Sequence, residues 1–190
     1  MLRYDGTVEG SPTVRVESGI RANPAAVRRV VVAGFDGVAA GDVEVRVERG
    51  LRRGDSFTGR AYPEPPRRGG AAAGIRYVVR LVLPGRLVDR GYPRSYRYVR
   101  RKTAPWITVA SWRERLLALA AHEAWHVHQF RHGLRRSEVE AERWSLRLLD
   151  VWRERWEVVP GPKQRERSGP VGHPGDGQPQ AEALQLALPM

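Results

Sequence analysis

The stretch from Ser111 to Gly133 constrains this chain more than any other. Ser111 followed three residues later by Glu114 forms a capping box, and Leu116, Leu117, Leu119, Ala120 and Ala121 come next. A long helix is predicted to start there and to run to about Arg131, with Gly133 as a natural residue just past its end. Inside it lies His122-Glu123-Ala124-Trp125-His126. Four residues rotate a helix by about 400 degrees, so both imidazoles project from one side, a turn apart. With 5 His and 14 Glu among 190 residues, chance yields this spacing roughly 0.01 times. The pair is therefore read as two neutral nitrogen donors for one zinc ion, with Glu123 placed beside them as a general base.

No cysteine is present, which excludes disulfides, cysteine-based zinc fingers and a cysteine nucleophile. Any metal site must use His and carboxylates. At 190 residues the chain has room for one domain with a core plus tails. Met1 to Ile20 lack the apolar run of a signal peptide, and no stretch approaches 18 uninterrupted apolar residues. The expectation is a cytoplasmic protein with no membrane partner.

The formal net charge of +12 suits an acidic partner such as nucleic acid. Only Lys102 and Lys163 among the 33 basic residues are lysine, a skew expected of a GC-rich genome, so compositional bias explains part of the excess. Tyr92 to Lys102 interleaves Tyr92, Tyr96 and Tyr98 with Arg94, Arg97, Arg100 and Arg101, a mixture suited to bases and phosphates, to an acidic peptide, or to a charge-protected edge strand.

Strands are expected before the helix. Ser11 to Ser18 alternates, Val30 to Ala33 is β-branched, Val43 to Val47 alternates Val with charge, and Ile75 to Leu83 is strongly strand-like. Ile107 to Val109 is a further short strand. Asn23-Pro24 predicts the start of a short helix, and Tyr62 to Gly74 a Pro/Gly-rich loop. A second helix is predicted over Ser137 to Trp156, with its own Ser137/Glu140 capping box and Leu146, Leu149 and Val151 as buried positions. The resulting α+β pattern divides into a strand-like segment over 1–22, a domain over 23–158 and a Pro/Gly-rich disordered tail over 159–190.

A catalytic zinc needs a third protein ligand. His132 stands ten residues after His122, the spacing of His-Glu-x-x-His-x-x-Gly-x-x-His. Gln129 occupies the glycine position, however, and methionine occurs only at Met1 and Met190, so the turn associated with that pattern is missing. The following helix supplies Glu138 and Glu140. Here Glu138-Val139-Glu140-Ala141-Glu142 together with the histidine pattern resembles zinc metallopeptidases of the gluzincin type, small bacterial and phage domains with Glu-x-x-Ala-Asp/Asn after His-Glu-x-x-His. The resemblance covers Ser111 to about Asp150. It implies a zincin-like fold, a small mainly antiparallel sheet followed by the active-site helix and a second packed helix. It also implies zinc-dependent peptide-bond hydrolysis of a protein or peptide substrate, with Glu138 as third ligand, and Glu142 as a brace on a ligand histidine. Glu142 replaces the usual Asp or Asn, and only 11 residues separate His126 from Glu138, a short connection for the group. In His-Glu-x-x-His peptidases an edge strand before the active-site helix pairs with substrate backbone, and the resemblance gives that part to Ile107–Val109. Gln129 lies on the metal face of the helix, His128 points away, and Trp125, Trp144 and Trp152 are read as core residues over the site. Tyr96, Tyr98, His128 and His132 are the candidates for an oxyanion donor. The competing functions are a non-enzymatic nucleic-acid-binding protein and a zinc-binding pseudopeptidase.

Overall fold

The computed structural model describes residues 10–50, 57–63, 74–96 and 104–156. In chain order these form β1 (Thr13–Val16), α1 (Pro24–Ala33), β2 (Val43–Arg49), β3 (Thr58–Tyr62), β4 (Tyr77–Leu83), β5 (Arg94–Tyr96), β6 (Ile107–Val109), α2 (Trp112–Arg131) and α3 (Glu138–Trp156). The fold is α+β. Much of the expected loop, residues 97–103 of the aromatic and basic stretch, and the expected tail over 159–190 lie outside the described residues.

The main sheet has the order β1-β2-β4-β3. β1 pairs with β2 and β2 with β4 in parallel, and only β3 runs antiparallel, against β4. The expected mainly antiparallel sheet is therefore corrected to a mixed one. The reason is α1, which lies between β1 and β2: a helical crossover returns the chain to the sheet in its original direction. The β-branched run Val30 to Ala33, expected as a strand, is the second half of that helix. Valine disfavours a helix by at most about 0.7 kcal/mol per residue, whereas burying its side chain stabilises by about 1.5 kcal/mol or more. Val27, Val30 and Val31 are all buried at i, i+3 and i+4, so packing wins.

β1 is hydrogen-bonded into the sheet, from Thr13 opposite Glu44 to Val16 opposite Val47, which makes the N-terminal segment part of the domain's own sheet. Ile107–Val109 does not join that sheet. It pairs antiparallel with β5 in a separate two-stranded ribbon, so the edge beside the main helix is β3. Thr58-Gly59-Arg60-Ala61-Tyr62 carries a weak strand signal, with glycine inside it, and was not anticipated.

α2 is enclosed nearly all round. Leu116 through Ala121 are fully buried, as are Ala124 and Val127, and α1, α3, β3, β4 and β6 all pack against it. Its start matches the predicted cap: the Glu114 N–H donates to Ser111 Oγ at 3.2 Å, and the Ala110 N–H donates to Glu114 Oε2 at 2.8 Å. Its end is a Schellman turn. The Leu134 N–H donates to the Gln129 carbonyl at 2.8 Å and the Gly133 N–H to the Phe130 carbonyl at 3.2 Å, with Gly133 at φ +62°. That left-handed residue lets α3 fold back on α2 within a few residues, where the Ser145 hydroxyl donates to the Ala118 carbonyl at 2.9 Å. Along α3 the buried positions are Ala141, Glu142, Ser145, Leu148 and Leu149, while Leu146 is half-buried and Val151, expected inside, is 36% exposed. Trp125, Trp144 and Trp152 are half-buried rather than core residues.

Candidate metal centre

His122 and His126 project from the middle of α2 and are 3% and 0% exposed. The short turn through Gly133 delivers the first residue of α3, Glu138, against them. His122 Nε2 lies 3.1 Å from Glu138 Oε2 and 3.2 Å from His126 Nε2, and His126 Nε2 lies 3.4 Å from Glu138 Oε2. These three residues are the group of ligand atoms, among the described residues, placed to hold a metal ion. A tetrahedral zinc with bonds of about 2.0–2.1 Å separates its ligand atoms by about 3.3–3.4 Å, so the three edges fit one face of that tetrahedron.

Protonation agrees with geometry. Gln129 Oε1 lies 2.9 Å from His126 Nδ1, and its amide orientation is set twice: Gln129 Nε2 donates to Glu140 Oε2 at 3.1 Å, and Oε1 accepts the Ser137 N–H at 3.3 Å. An acceptor at that position requires the proton on Nδ1. Burial holds the His126 imidazole below its usual pKa, hence neutral, and its Nε2 lone pair therefore faces the other two donor atoms. Hydrogen bonding by His122 pulls the Glu138 carboxyl down to about 2, so it is ionised. A lone pair and a carboxylate oxygen 3.4 Å apart repel unless a cation or proton lies between them. The donor set fits zinc in number and type, and His126 and Glu138 fit it in protonation state as well.

Glu123 is 3% exposed and lies against β3. It accepts a hydrogen bond from the Ala61 backbone N–H, and its Oε2 has no hydrogen-bond partner among the described residues. Burial raises its carboxyl to about 7, with the charges of His122 and Arg136 opposing. The contact requires glycine at position 59, because a Cβ there would sit 2.6 Å from Glu123 Oε1 and 2.7 Å from its Cγ. Thus β3 packs directly against the candidate base.

The remaining candidates separate clearly. Glu140, on the other side of α3, holds Gln129 rather than joining the three donors. His132 caps α2 and lies tilted against His128 with ring centroids 4.4 Å apart, while His128 stacks on Trp125 and Trp125 on Trp144; neither histidine joins the donor group. Tyr96 lies under the Arg115 guanidinium, and Tyr98 is outside the described residues. Glu142 is fully buried one helical turn after Glu138. Two participants escaped the sequence reading. Arg136 Nε forms an ion pair with Glu138 Oε1 at 2.9 Å, and Gly59 admits Glu123. The first follows only from the geometry of the turn; the second, an isolated glycine in a strand, is a known sign of close backbone approach.

No helix among the described residues is long and apolar enough to cross a membrane. No family model matches the chain, and neither a curated protein nor a solved structure matches it.

Proposed function

We propose that the chain is a zinc-dependent peptidase of zincin-like, gluzincin type, with His122, His126 and Glu138 as metal ligands and Glu123 as general base. The observation that carries this reading is the triangle of donor atoms with edges of 3.1, 3.2 and 3.4 Å, brought together from two helices. Bound there, zinc supplies Lewis-acid chemistry, lowering the pKa of water and polarising a peptide carbonyl. The residues of the chain do the rest. Gln129 keeps His126 in the tautomer that presents Nε2, and Arg136 holds the outer oxygen of Glu138 so that Oε2 faces the imidazoles. Glu142, buried one helical turn after Glu138 on α3, is assigned the brace on a ligand histidine. The Ala61 amide fixes one oxygen of Glu123. Its unpartnered Oε2 takes the proton of the attacking water and delivers it to the leaving amine nitrogen. Among the described residues β3 is the edge strand of the sheet beside this base, and an extended peptide added there lies across the site with its backbone paired to β3.

Metal analysis combined with a cleavage assay tests this. Protein purified without chelators is expected to hold about one zinc per chain, lost in His122→Ala, and to cleave peptides in a manner abolished by Glu123→Gln. Zinc without Glu123-dependent cleavage identifies a pseudopeptidase, and protein that never takes up zinc refutes the reading entirely.

A second reading, nucleic-acid binding, has one observation in its favour. Arg15, Arg46, Arg80 and Arg60 stand directly opposite one another across all four strands, on the sheet face away from the core valines Val43, Val45 and Val47. Glu44 lies 3.4 Å from Arg15 and 2.8 Å from Arg46, and Glu48 lies 2.6 Å from Arg80, so two carboxylates offset half of the row's four positive charges from within. That compensation favours the hydrolytic reading. Nucleic-acid binding that falls steeply with salt and with loss of Arg60 and Arg80 would reverse the preference.

A further inference from the structure

At the α2–α3 turn lies a cavity of about 400 Å³ lined by Arg135, Arg136, Ser137, Glu138 and Glu140, so that it shares Glu138 with the donor group. Nearly every polar group of this wall is committed. Glu138 turns Oε2 to the imidazoles and pairs through Oε1 with the Arg136 guanidinium, whose Nε lies 2.9 Å away. Glu140 Oε2 accepts from the Gln129 amide at 3.1 Å. The Ser137 N–H goes to Gln129 Oε1, and its hydroxyl accepts the Glu140 N–H. Arg135 is the exception: it lines the cavity, is exposed, and has no partner among the described residues. It stands three positions before Glu138, so their Cα atoms are at most about 11 Å apart.

A guanidinium with no partner among the described residues, at the wall of a cavity that shares Glu138 with the donor triangle, is suited to an oxyanion. It binds a carboxylate through paired N–H donors. The other two carboxylates of the wall are already engaged and do not compete for it. Arg136 adds positive charge at the same place, and its field reaches Glu123, His126 and Glu138. An extended peptide advances about 3.3 Å per residue, so the span from Arg135 to the metal ligand Glu138 corresponds to about three residues of peptide.

We infer that this cavity is a carboxylate subsite centred on Arg135, and that the substrates carry an acidic group within about three residues of the cleaved bond. The inference rests on the hydrolytic reading. The acidic group is either an Asp or Glu side chain or the free C-terminus of the peptide, and the two sources differ in what substitution removes them.

The test uses full-length zinc-loaded protein and quenched-fluorescence alanine-based octapeptides. One series carries Glu or Gln at each position in turn, and a second ends in a free acid or an amide. The expected result is a kcat/KM at least tenfold higher for the Glu member at some position, or for the free acid, which identifies the source. Arg135→Gln brings that ratio to about one, and Arg135→Lys restores part of it. Equal cleavage of acidic and neutral members by the wild type, or a ratio that survives Arg135→Gln, overturns the subsite. Binding of labelled versions of the same peptides to zinc-loaded Glu123→Gln, followed by anisotropy, gives a readout that needs no turnover. Arg135-dependent preference for acidic peptides in a protein that cleaves nothing keeps the subsite and refutes hydrolysis. Cleavage without preference keeps hydrolysis and refutes the subsite, and absence of both cleavage and binding refutes both.

Discussion

Glu123→Gln is expected to stabilise the metal-free protein while destroying its activity. Burial raises the Glu123 carboxyl from the ordinary 4.5 to about 7, and the side chain is 3% exposed, so solvent screening does not dilute the effect. A raised folded-state value for an acid means that the folded chain holds a proton the unfolded chain has already released. Stability therefore falls as pH rises from about 4.5 to about 7, and the loss is complete above that window. At about 1.4 kcal/mol per pH unit the loss amounts to about 3 kcal/mol. Glutamine keeps an oxygen for the Ala61 N–H and carries no charge to desolvate. Urea unfolding of wild type and Glu123→Gln in EDTA, at pH 5 and pH 8.5, measures the difference. The variant should gain about 2 kcal/mol or more on the wild type between the two pH values, since other titrations are common to both. Parallel stability profiles, or a variant less stable at pH 8.5, would show that Glu123 is not held in a desolvated pocket against β3.

Three further outcomes are expected. Gln129→Ala should lower zinc affinity by about 10- to 100-fold in a chelator competition, because His126 loses the partner that fixes its tautomer; unchanged affinity would mean that the hydrogen bond has no such role. Gly59→Ala should cut peptide hydrolysis at least tenfold with zinc content retained, since the new methyl group occupies space taken by Glu123 Cγ and Oε1. Leu149→Ala should cost about 3 kcal/mol in urea unfolding, as its side chain is fully buried in the core; a loss below about 1 kcal/mol would contradict that packing.

Whatever depended on neighbours a few residues apart was legible in the sequence. The Ser111 cap, the His122/His126 pair one turn apart and the Gly133 turn appear in the structure where the residues predict them, because each rests on short-range geometry. Glu138 came from a resemblance rather than from spacing, and the structure brings its carboxylate to both imidazoles. Long-range pairing was not legible. Val30 to Ala33 has the composition of a strand and lies in a helix, because burial of its valines outweighs a small local preference. The strand against Glu123 turned out to be the weakly signalled Thr58–Tyr62, since the choice among short strands is made by sheet register and packing.

The sequence by itself thus determined the long capped helix, the spacing of its two histidines and the turn that follows. Only the tertiary structure decided what meets them: Glu138 and Arg136 across the turn, Gln129 held by Glu140, and β3 laid against Glu123 through Gly59. Helix caps and one-turn spacings are governed by hydrogen bonds a few residues long. The approach of β3 to α2 depends on contacts about sixty residues apart in the chain, and no local pattern encodes these.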